Sequence, residues 1–407
     1  MKKFISLGYL SLKLLFPFLT PIFSCLRSYV NITVNPNPED ESSFLGFTFF
    51  LAFLLFLCEI LCGLLELISV IRQQTTKSKL MEEEKKTSQN QTEESALRSS
   101  RIASLLVPVE KGKKTNKYLF YYLFAATFVD FFSFCTLTRI SLVDKTLENV
   151  VDSEIRIIQI VFISVLSKIF LHYPFHRHHA ASLTFIAVGM ILICLKSFSN
   201  ITPTTENIIN TILYLVCYLL YVIQDIIEKY VMEKEYISPF RLLLYEGIIG
   251  MGISLVAFIL SFCIPFQVLF KTQNTEISNN LLSSLREVFT SINNNKIHIA
   301  FYALFLFSSC GYNLFIVLTN YYFYPSHINV SDTLSLLAFW LLLEEEKDIG
   351  WYHILKVVGF ILIFIGGLIY NEIIIVYFFG LGEYTRKEIR ERAAKIGEVN
   401  FEEVEQL

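Results

Sequence analysis

The chain has 407 residues, of which 54% are hydrophobic and only 17% carry a charge. Soluble globular domains are about 25% charged, and the mean hydropathy here is +0.52. This balance excludes an ordinary soluble enzyme or nucleic-acid-binding protein and predicts an integral membrane protein. The net charge of −3 says little about partners, because in a membrane protein the placement of Lys and Arg matters more than their sum.

Apolar runs long enough to cross a bilayer recur along the whole chain. A hydrocarbon core about 30 Å thick needs roughly 20 residues of helix, and the backbone polar groups must be paired within each span. Because no alternating strand pattern is present, we predict an all-α polytopic protein. The ten predicted spans cover 4–28, 44–71, 117–140, 149–171, 179–197, 207–229, 240–266, 297–320, 325–345 and 351–379. A signal peptide is the alternative for 4–28, but Lys13, Pro17, Pro21 and the lack of a clear small-x-small cleavage site argue against it, and we expect a first transmembrane helix.

The basic loops predict the orientation of the chain. With ten spans, the Lys- and Arg-rich loop 72–116, the His- and Arg-bearing loop 172–179 and the basic tail 381–407 lie on the side of the N-terminus. Both termini are then cytoplasmic, and the sequons at Asn31 and Asn200 face the opposite side, where glycosylation takes place. The polar loop 72–116 has the composition of a disordered linker. It separates spans 1–2 (1–71) from spans 3–5 (117–197), and spans 6–10 (207–380) precede the tail. Ser283 to Ile292 predicts one short helix in the longest loop on the opposite side.

Ionisable and amide side chains occur inside many of the predicted spans. Charge is costly in hydrocarbon, so each such residue is a candidate for a functional site. The alternative is that these groups pair between helices or lie near span ends, which Glu228, Asp225, Asp332 and Glu372 favour by position. The candidate cavity residues are Glu59, Asp130, Arg156, Gln159, Gln224, Glu246, Asn313 and Asp332. Glu59 and Glu66 are two helical turns apart and share a face.

The sequence predicts no metal, cofactor or catalytic centre. All eight cysteines lie in apolar runs without a C-x-x-C pair, which is typical of buried apolar Cys. His178 and His179 are adjacent on a loop with no carboxylate near them in the sequence, so a basic flank is the simpler interpretation. No nucleotide-binding loop or Ser/His/Asp set occurs, so we expect no enzyme.

Ten spans divide into five and five, and an odd-numbered repeat must be inverted relative to its copy. The fourth span opens Val151-Asp152-Ser153 and the ninth opens Val330-Ser331-Asp332. Several short motifs, in order, resemble the drug/metabolite transporter superfamily, and specifically the nucleotide-sugar-transporter-like branch of solute carrier family 35, subfamily F member 6 type. They are Phe56–Cys62, Phe124–Asp130, Glu154–Arg156, Tyr221–Lys229, Ser238-Pro239, Tyr245–Gly250, Asp332–Trp340, Gly359-Phe360 and Ile369–Glu372.

The resemblance implies two inverted five-helix repeats around a midplane cavity, in an endomembrane compartment such as the lysosome, vacuole or Golgi. It implies a secondary carrier of a small organic solute, with a coupled proton or counter-solute as further partner beside the bilayer. A homodimer is an open alternative. Two residues depart from the branch's pattern: Ile157 replaces a Gly and Ser335 replaces an Arg. The lost cavity cation weakens the case for a doubly charged anionic substrate. A non-transporting membrane scaffold on the same fold is the alternative function. We expect close helix packing at the glycines Gly247, Gly250, Gly359, Gly366 and Gly367.

Overall fold

The computed structural model describes the helical parts of the chain. The described residues are 19–27, 30, 47–66, 68, 118–143, 158–159, 161–173, 175–200, 205–263, 281–294, 296–323, 325–328, 351–377, 381–382, 385 and 388. Across these residues the chain is all-α, and no strand occurs among them. The linker 72–116, the span 325–345 beyond residue 328, and most of the first span and of the tail lie outside the described residues.

The helices fall close to the predicted spans. In chain order they are α1 (19–27), α2 (Phe47–Glu66), α3 (Leu119–Val143), α4 (Val161–Phe170), α5 (Arg177–Asn200), α6 (Thr205–Glu235), α7 (Pro239–Cys263), α8 (Leu281–Asn294), α9 (Ile297–Tyr322) and α10 (Trp351–Tyr370). Six of them, namely α2, α3, α6, α7, α9 and α10, contain segments long and apolar enough to cross a membrane. Helix α8 includes the predicted short helix from Ser283 to Ile292.

The chain forms two compact units, and each takes helices from both halves of the sequence. The first, here called the Glu59 unit, consists of 26–143 and 227–321, and the second, the His178 unit, consists of 1–25, 144–226 and 322–407. Compact units therefore do not coincide with the sequential halves of the chain.

In the Glu59 unit, α2 packs antiparallel against α7 and parallel to α9, where Phe50 meets Tyr302 and Glu59 meets Asn313. A Cβ atom on Gly63 would lie 2.4 Å from Leu244 Cβ, and one on Gly250 would lie 2.1 Å from the Phe56 ring. At these points only glycine lets the helices approach so closely. Buried apolar side chains from α2, α3, α6, α7 and α9 fill one core: Cys62, Leu123, Val231, Met232, Leu242, Leu243 and Val317.

The amphipathic helix α8 packs against the same unit. Its Val288 is 5% exposed and lies in a cluster with Phe47, Leu51 and Tyr302. Phe289, the next residue, is 55% exposed. Helix α8 therefore uses one face to dock and leaves the other outward, as its hydrophobic pattern predicts.

Helix α7 begins with a side-chain cap that also ties it to the end of α2. Ser238 Oγ accepts the backbone N–H of Arg241 at 3.3 Å, and Pro239 occupies the first helical position, where its missing N–H costs nothing. The Ser238 hydroxyl donates to Glu66 Oε2. Arg241 Nε lies 2.9 Å from Glu66 Oε1, so Glu66 serves as an anchor between two helix ends.

In the His178 unit, α5 and α10 form an antiparallel pair joined at two points. A Cβ on Gly359 would lie 2.7 Å from the Gly189 carbonyl oxygen, and a Cβ on Gly189 would lie 2.6 Å from that of Gly359. Seven residues further along, a Cβ on Gly366 would lie 2.9 Å from the Ser182 carbonyl oxygen. Backbone thus touches backbone at intervals of two helical turns.

Helix α10 ends at Tyr370, whereas the predicted span runs to residue 379. The N–H of Ile373 donates to the Leu368 carbonyl at 2.9 Å and that of Glu372 to the Ile369 carbonyl at 3.1 Å. This is a Schellman motif, with Glu372 in the left-handed region at φ 54°. The prediction was too long because the apolar run after Glu372 continues past the end of the helix.

Candidate functional site

Four helices of the Glu59 unit each bury an acidic side chain. Glu59 on α2 is 4% exposed, Asp130 on α3 is 9%, Glu228 on α6 is 3% and Glu246 on α7 is 4%. An ionised carboxylate removed from water needs a counter-charge, hydrogen bonds or water, since its burial is otherwise costly. These acids therefore face the protein interior and not the surroundings of the bundle.

Glu59 is an acid of this group that is hydrogen bonded to α9. Its Oε1 accepts a hydrogen bond from Asn313 Nδ2 on α9 at 2.9 Å. Its Oε2 is buried and has no hydrogen-bond partner among the described residues. Asp130 and Glu228 are both close enough for their charges to act on the Glu59 carboxylate. Glu59 is thus within electrostatic range of two other acids, and its hydrogen bond from Asn313 comes from a neutral amide.

Asp130 has a cationic neighbour that the sequence did not single out. The charge of Arg27, from the end of α1, acts on the Asp130 carboxylate. The Arg27 guanidinium also lies 4.2 Å from the centre of the Tyr312 ring on α9, a cation–π distance. In the sequence, Arg27 lies at the end of the first apolar run (4–28), and no spacing rule connects it with Asp130, 103 positions later.

Lys229 is a buried cation that the sequence analysis did not place in the site. It is 5% exposed, and its Nζ donates to the carbonyl oxygens of Asn320 at 2.7 Å and Tyr321 at 3.1 Å. Glu233, one turn on, lies 3.3 Å from the same nitrogen. Lys229 therefore caps the carboxyl end of α9, where helix carbonyls favour positive charge.

The predicted site residues are only partly brought together. Glu59 and Asn313 are hydrogen bonded, and Asp130 is close to Glu59, in the Glu59 unit. Glu246 is buried in that unit, whereas Gln159, 8% exposed, and Gln224 belong to the His178 unit. Arg156, Asp332 and Asn31 lie outside the described residues, and Asn200 is the last residue of α5.

A second polar cluster lies in the His178 unit, where α5 begins and α10 ends. His178 is 2% exposed and His179 is 8% exposed. Their ring centres are 4.0 Å apart, and His178 Nε2 lies 3.4 Å from Glu372 Oε1. Burial lowers the pKa of His176 on the preceding loop; His178 adds to the effect and Glu372 opposes it. Although no carboxylate is near these histidines in the sequence, the fold places Glu372 beside them.

Comparison with known proteins assigns no family. No protein-family model and no curated protein matches the chain. Among solved structures, one described as "Crystal structure of protein" is 12% identical to this chain, with a TM-score of 0.44. The match covers 89% of this chain and 97% of the other chain. A likeness of this size assigns neither a fold nor a function.

Proposed function

We propose that the chain is a secondary-active membrane carrier of a small organic solute, working by alternating access. In this proposal the ten predicted spans cross an endomembrane as two inverted five-helix repeats, with both termini in the cytoplasm. The six long apolar helices support the membrane location. The motifs that resemble the solute carrier 35 branch support the class of transport.

The observation that carries the proposal is the environment of the Glu59 side chain. A carboxylate buried on a long apolar helix, with two further acids close by and a buried oxygen without a hydrogen bond, is costly for stability. A scaffold has no need of such a group. A carrier does, because its solute or coupling ion must find a partner of opposite charge inside the membrane.

The charge balance of this unit favours a positively charged cargo or coupling ion. Among its described residues, Glu59, Asp130, Glu228 and Glu246 are buried acids on long apolar helices, whereas Lys229 is the buried base. We therefore expect an organic cation, a zwitterion or a proton to bind among these acids. A nucleotide sugar, with two negative charges, fits this group poorly.

Uptake into proteoliposomes tests the proposal. The purified chain is reconstituted and offered radiolabelled nucleotide sugars, amino acids, short peptides and organic cations, with and without a proton gradient. We expect uptake of a cationic or zwitterionic solute above that of empty liposomes. Glu59→Gln should lower the uptake by about tenfold or more, because removing a buried charge partner typically costs more than 1.4 kcal/mol.

Glu66→Gln is the matched control. Glu66 lies on the same face of α2 as Glu59, but Arg241 and Ser238 hold it at the helix end. We expect this variant to keep most of the uptake. No uptake of any class, or equal uptake by Glu59→Gln and the unchanged protein, would reject the carrier in favour of the scaffold.

Glu246 is the residue by which proton coupling is tested. If its carboxylate exchanges a proton during the cycle, Glu246→Gln removes the dependence of uptake on pH while leaving downhill exchange of the solute. An unchanged pH profile in this variant would assign the coupling to another group.

A further inference from the structure

The buried face between the start of α5 and the end of α10 carries a side-chain set suited to a metal ion. His178, His179 and Glu372 each offer one ligand atom, and these atoms all lie within 4.8 Å of one another. Two imidazoles and one carboxylate form a set that divalent zinc and its first-row neighbours prefer. This cluster lies in the His178 unit, so the inference does not depend on the proposed transport function.

The distance between two of these groups fits a shared ion better than a direct contact. His178 Nε2 and Glu372 Oε1 are 3.4 Å apart. Both ring nitrogens of His178 are buried, and neither has a hydrogen-bond partner within the part of the chain that the structure describes. Two ligand atoms about 2.1 Å from a tetrahedral zinc ion lie about 3.4 Å from each other. An ion between them would satisfy the buried His178 Nε2.

The backbone at Glu372 is the second, independent observation. Its φ of 54° is in the left-handed region, which costs a non-glycine residue free energy. A glycine would end α10 in the same Schellman motif without that cost. The glutamate brings a carboxylate to the two histidines instead, and the strain is therefore linked to the position of this side chain.

The third ligand, His179, has to give up a hydrogen bond in order to bind the ion through Nδ1. His179 Nδ1 accepts the backbone N–H of His176 at 2.9 Å, and the Tyr370 ring lies 4.7 Å from the His179 ring. Ligation through Nδ1 replaces that amide hydrogen bond by a bond to the ion. The packing of Tyr370 against the ring keeps the imidazole near the other two ligands while this exchange takes place.

The cluster lies within reach of aqueous ions. Helix α10 has 20 residues, which is about 30 Å of helix and matches the thickness of the hydrocarbon core. Glu372 follows its last turn and retains 14% side-chain exposure. The cluster is therefore at the edge of the apolar layer, with one ligand open toward the surface.

We propose that His178, His179 and Glu372 bind one divalent transition-metal ion, with zinc the best match, and that this ion fastens the start of α5 to the end of α10. Both elements belong to one compact unit. The remaining tetrahedral position is left for water or for a small ligand.

Zinc binding to the full-length protein tests this proposal. The chain is purified in detergent through a tag without histidine, stripped with EDTA, and equilibrated with zinc by dialysis before the metal is measured by atomic spectroscopy. We expect about one tightly held zinc ion per chain. His178→Ala, His179→Ala and Glu372→Gln should each weaken the affinity by about tenfold or more, because even partners of metal ligands change affinity by that amount.

His172→Ala is the matched control, because His172 is a histidine on the loop that precedes α5, is exposed and lies outside the cluster. It should bind zinc like the unchanged protein and show the same rise in unfolding temperature on adding zinc. Glu372→Gln keeps the size of the side chain and so decides the matter even if an alanine variant fails to fold. The proposal is overturned if the unchanged protein holds no zinc, or if any folded variant of the three binds it as tightly.

Discussion

Gly359→Ala is predicted to loosen the α5–α10 pair. The added methyl would lie 2.7 Å from the Gly189 carbonyl oxygen, whereas ordinary contact begins at 3.4 Å. The overlap of about 0.7 Å cannot be relieved by a side-chain rotation, since the oxygen belongs to the backbone of a helix. The two helices must separate, and overpacking of this kind typically costs about 1–3 kcal/mol.

Gly252→Ala supplies the reference for this prediction. Gly252 is on α7, and a Cβ there meets nothing within 4 Å. Both substitutions gain the same helix propensity, about 1 kcal/mol for alanine over glycine. The difference between the two variants therefore isolates the packing cost, and Gly359→Ala should be the less stable by about 1–3 kcal/mol.

Thermal unfolding in detergent, followed by the loss of the monodisperse gel-filtration peak, measures the difference. We expect Gly359→Ala to unfold several degrees below Gly252→Ala, and Gly189→Ala to behave like Gly359→Ala. Equal unfolding temperatures for Gly359→Ala and Gly252→Ala would show that the helix pair has room for a methyl group, and the packing argument would be wrong.

Three further changes test the described contacts, each by thermal unfolding or proteolysis. Lys229→Met should lower the free energy of unfolding by about 1–3 kcal/mol, because the last carbonyls of α9 lose their hydrogen-bond donor. Lys229→Arg should recover part of this loss, and a Met variant of unchanged stability would contradict the role of Lys229 as a cap. Glu66→Gln should lower the free energy of unfolding by less than about 1 kcal/mol, and high salt should reduce this loss, since Arg241 is 35% exposed. A larger loss that does not depend on salt would contradict this small contribution of the ion pair. Val288→Asp should release α8 and speed trypsin cleavage between 267 and 296, because an unpaired charge cannot remain in that cluster; unchanged cleavage would show that α8 docks by other residues.

The apolar runs predict the positions of the helices well, because helix formation in such a run depends on the residues of the run itself. Each run long enough to cross a bilayer satisfies its backbone within itself, and this decides helix over strand without reference to the rest of the chain. The short helix α8 agrees with the spacing of Leu285, Val288 and Ile292 on one face. The end of α10 does not follow, because the run from Ile373 to Val376 is as apolar as the helix before Glu372.

The contacts between helices are the part that the sequence does not reveal. Glu59 and Asn313 are 254 positions apart, and Glu372 is 194 positions from His178. No periodicity links such residues, since their meeting depends on which helices pack together and in which register. The sequence marks Glu59 and Asp130 as costly in lipid, but the partners Arg27 and Asn313 become apparent from the packing.

The paired glycines on α5 and α10 also restrict how these helices can move. Each carbonyl occupies the volume where the other helix would carry a side chain, and a second such contact occurs two turns away at Gly366. Sliding by one residue would drive Met190 or Phe360 into backbone at the contact between Gly189 and Gly359. We therefore expect the two helices to move as one rigid pair, so that a conformational change in this unit has to take place in other segments.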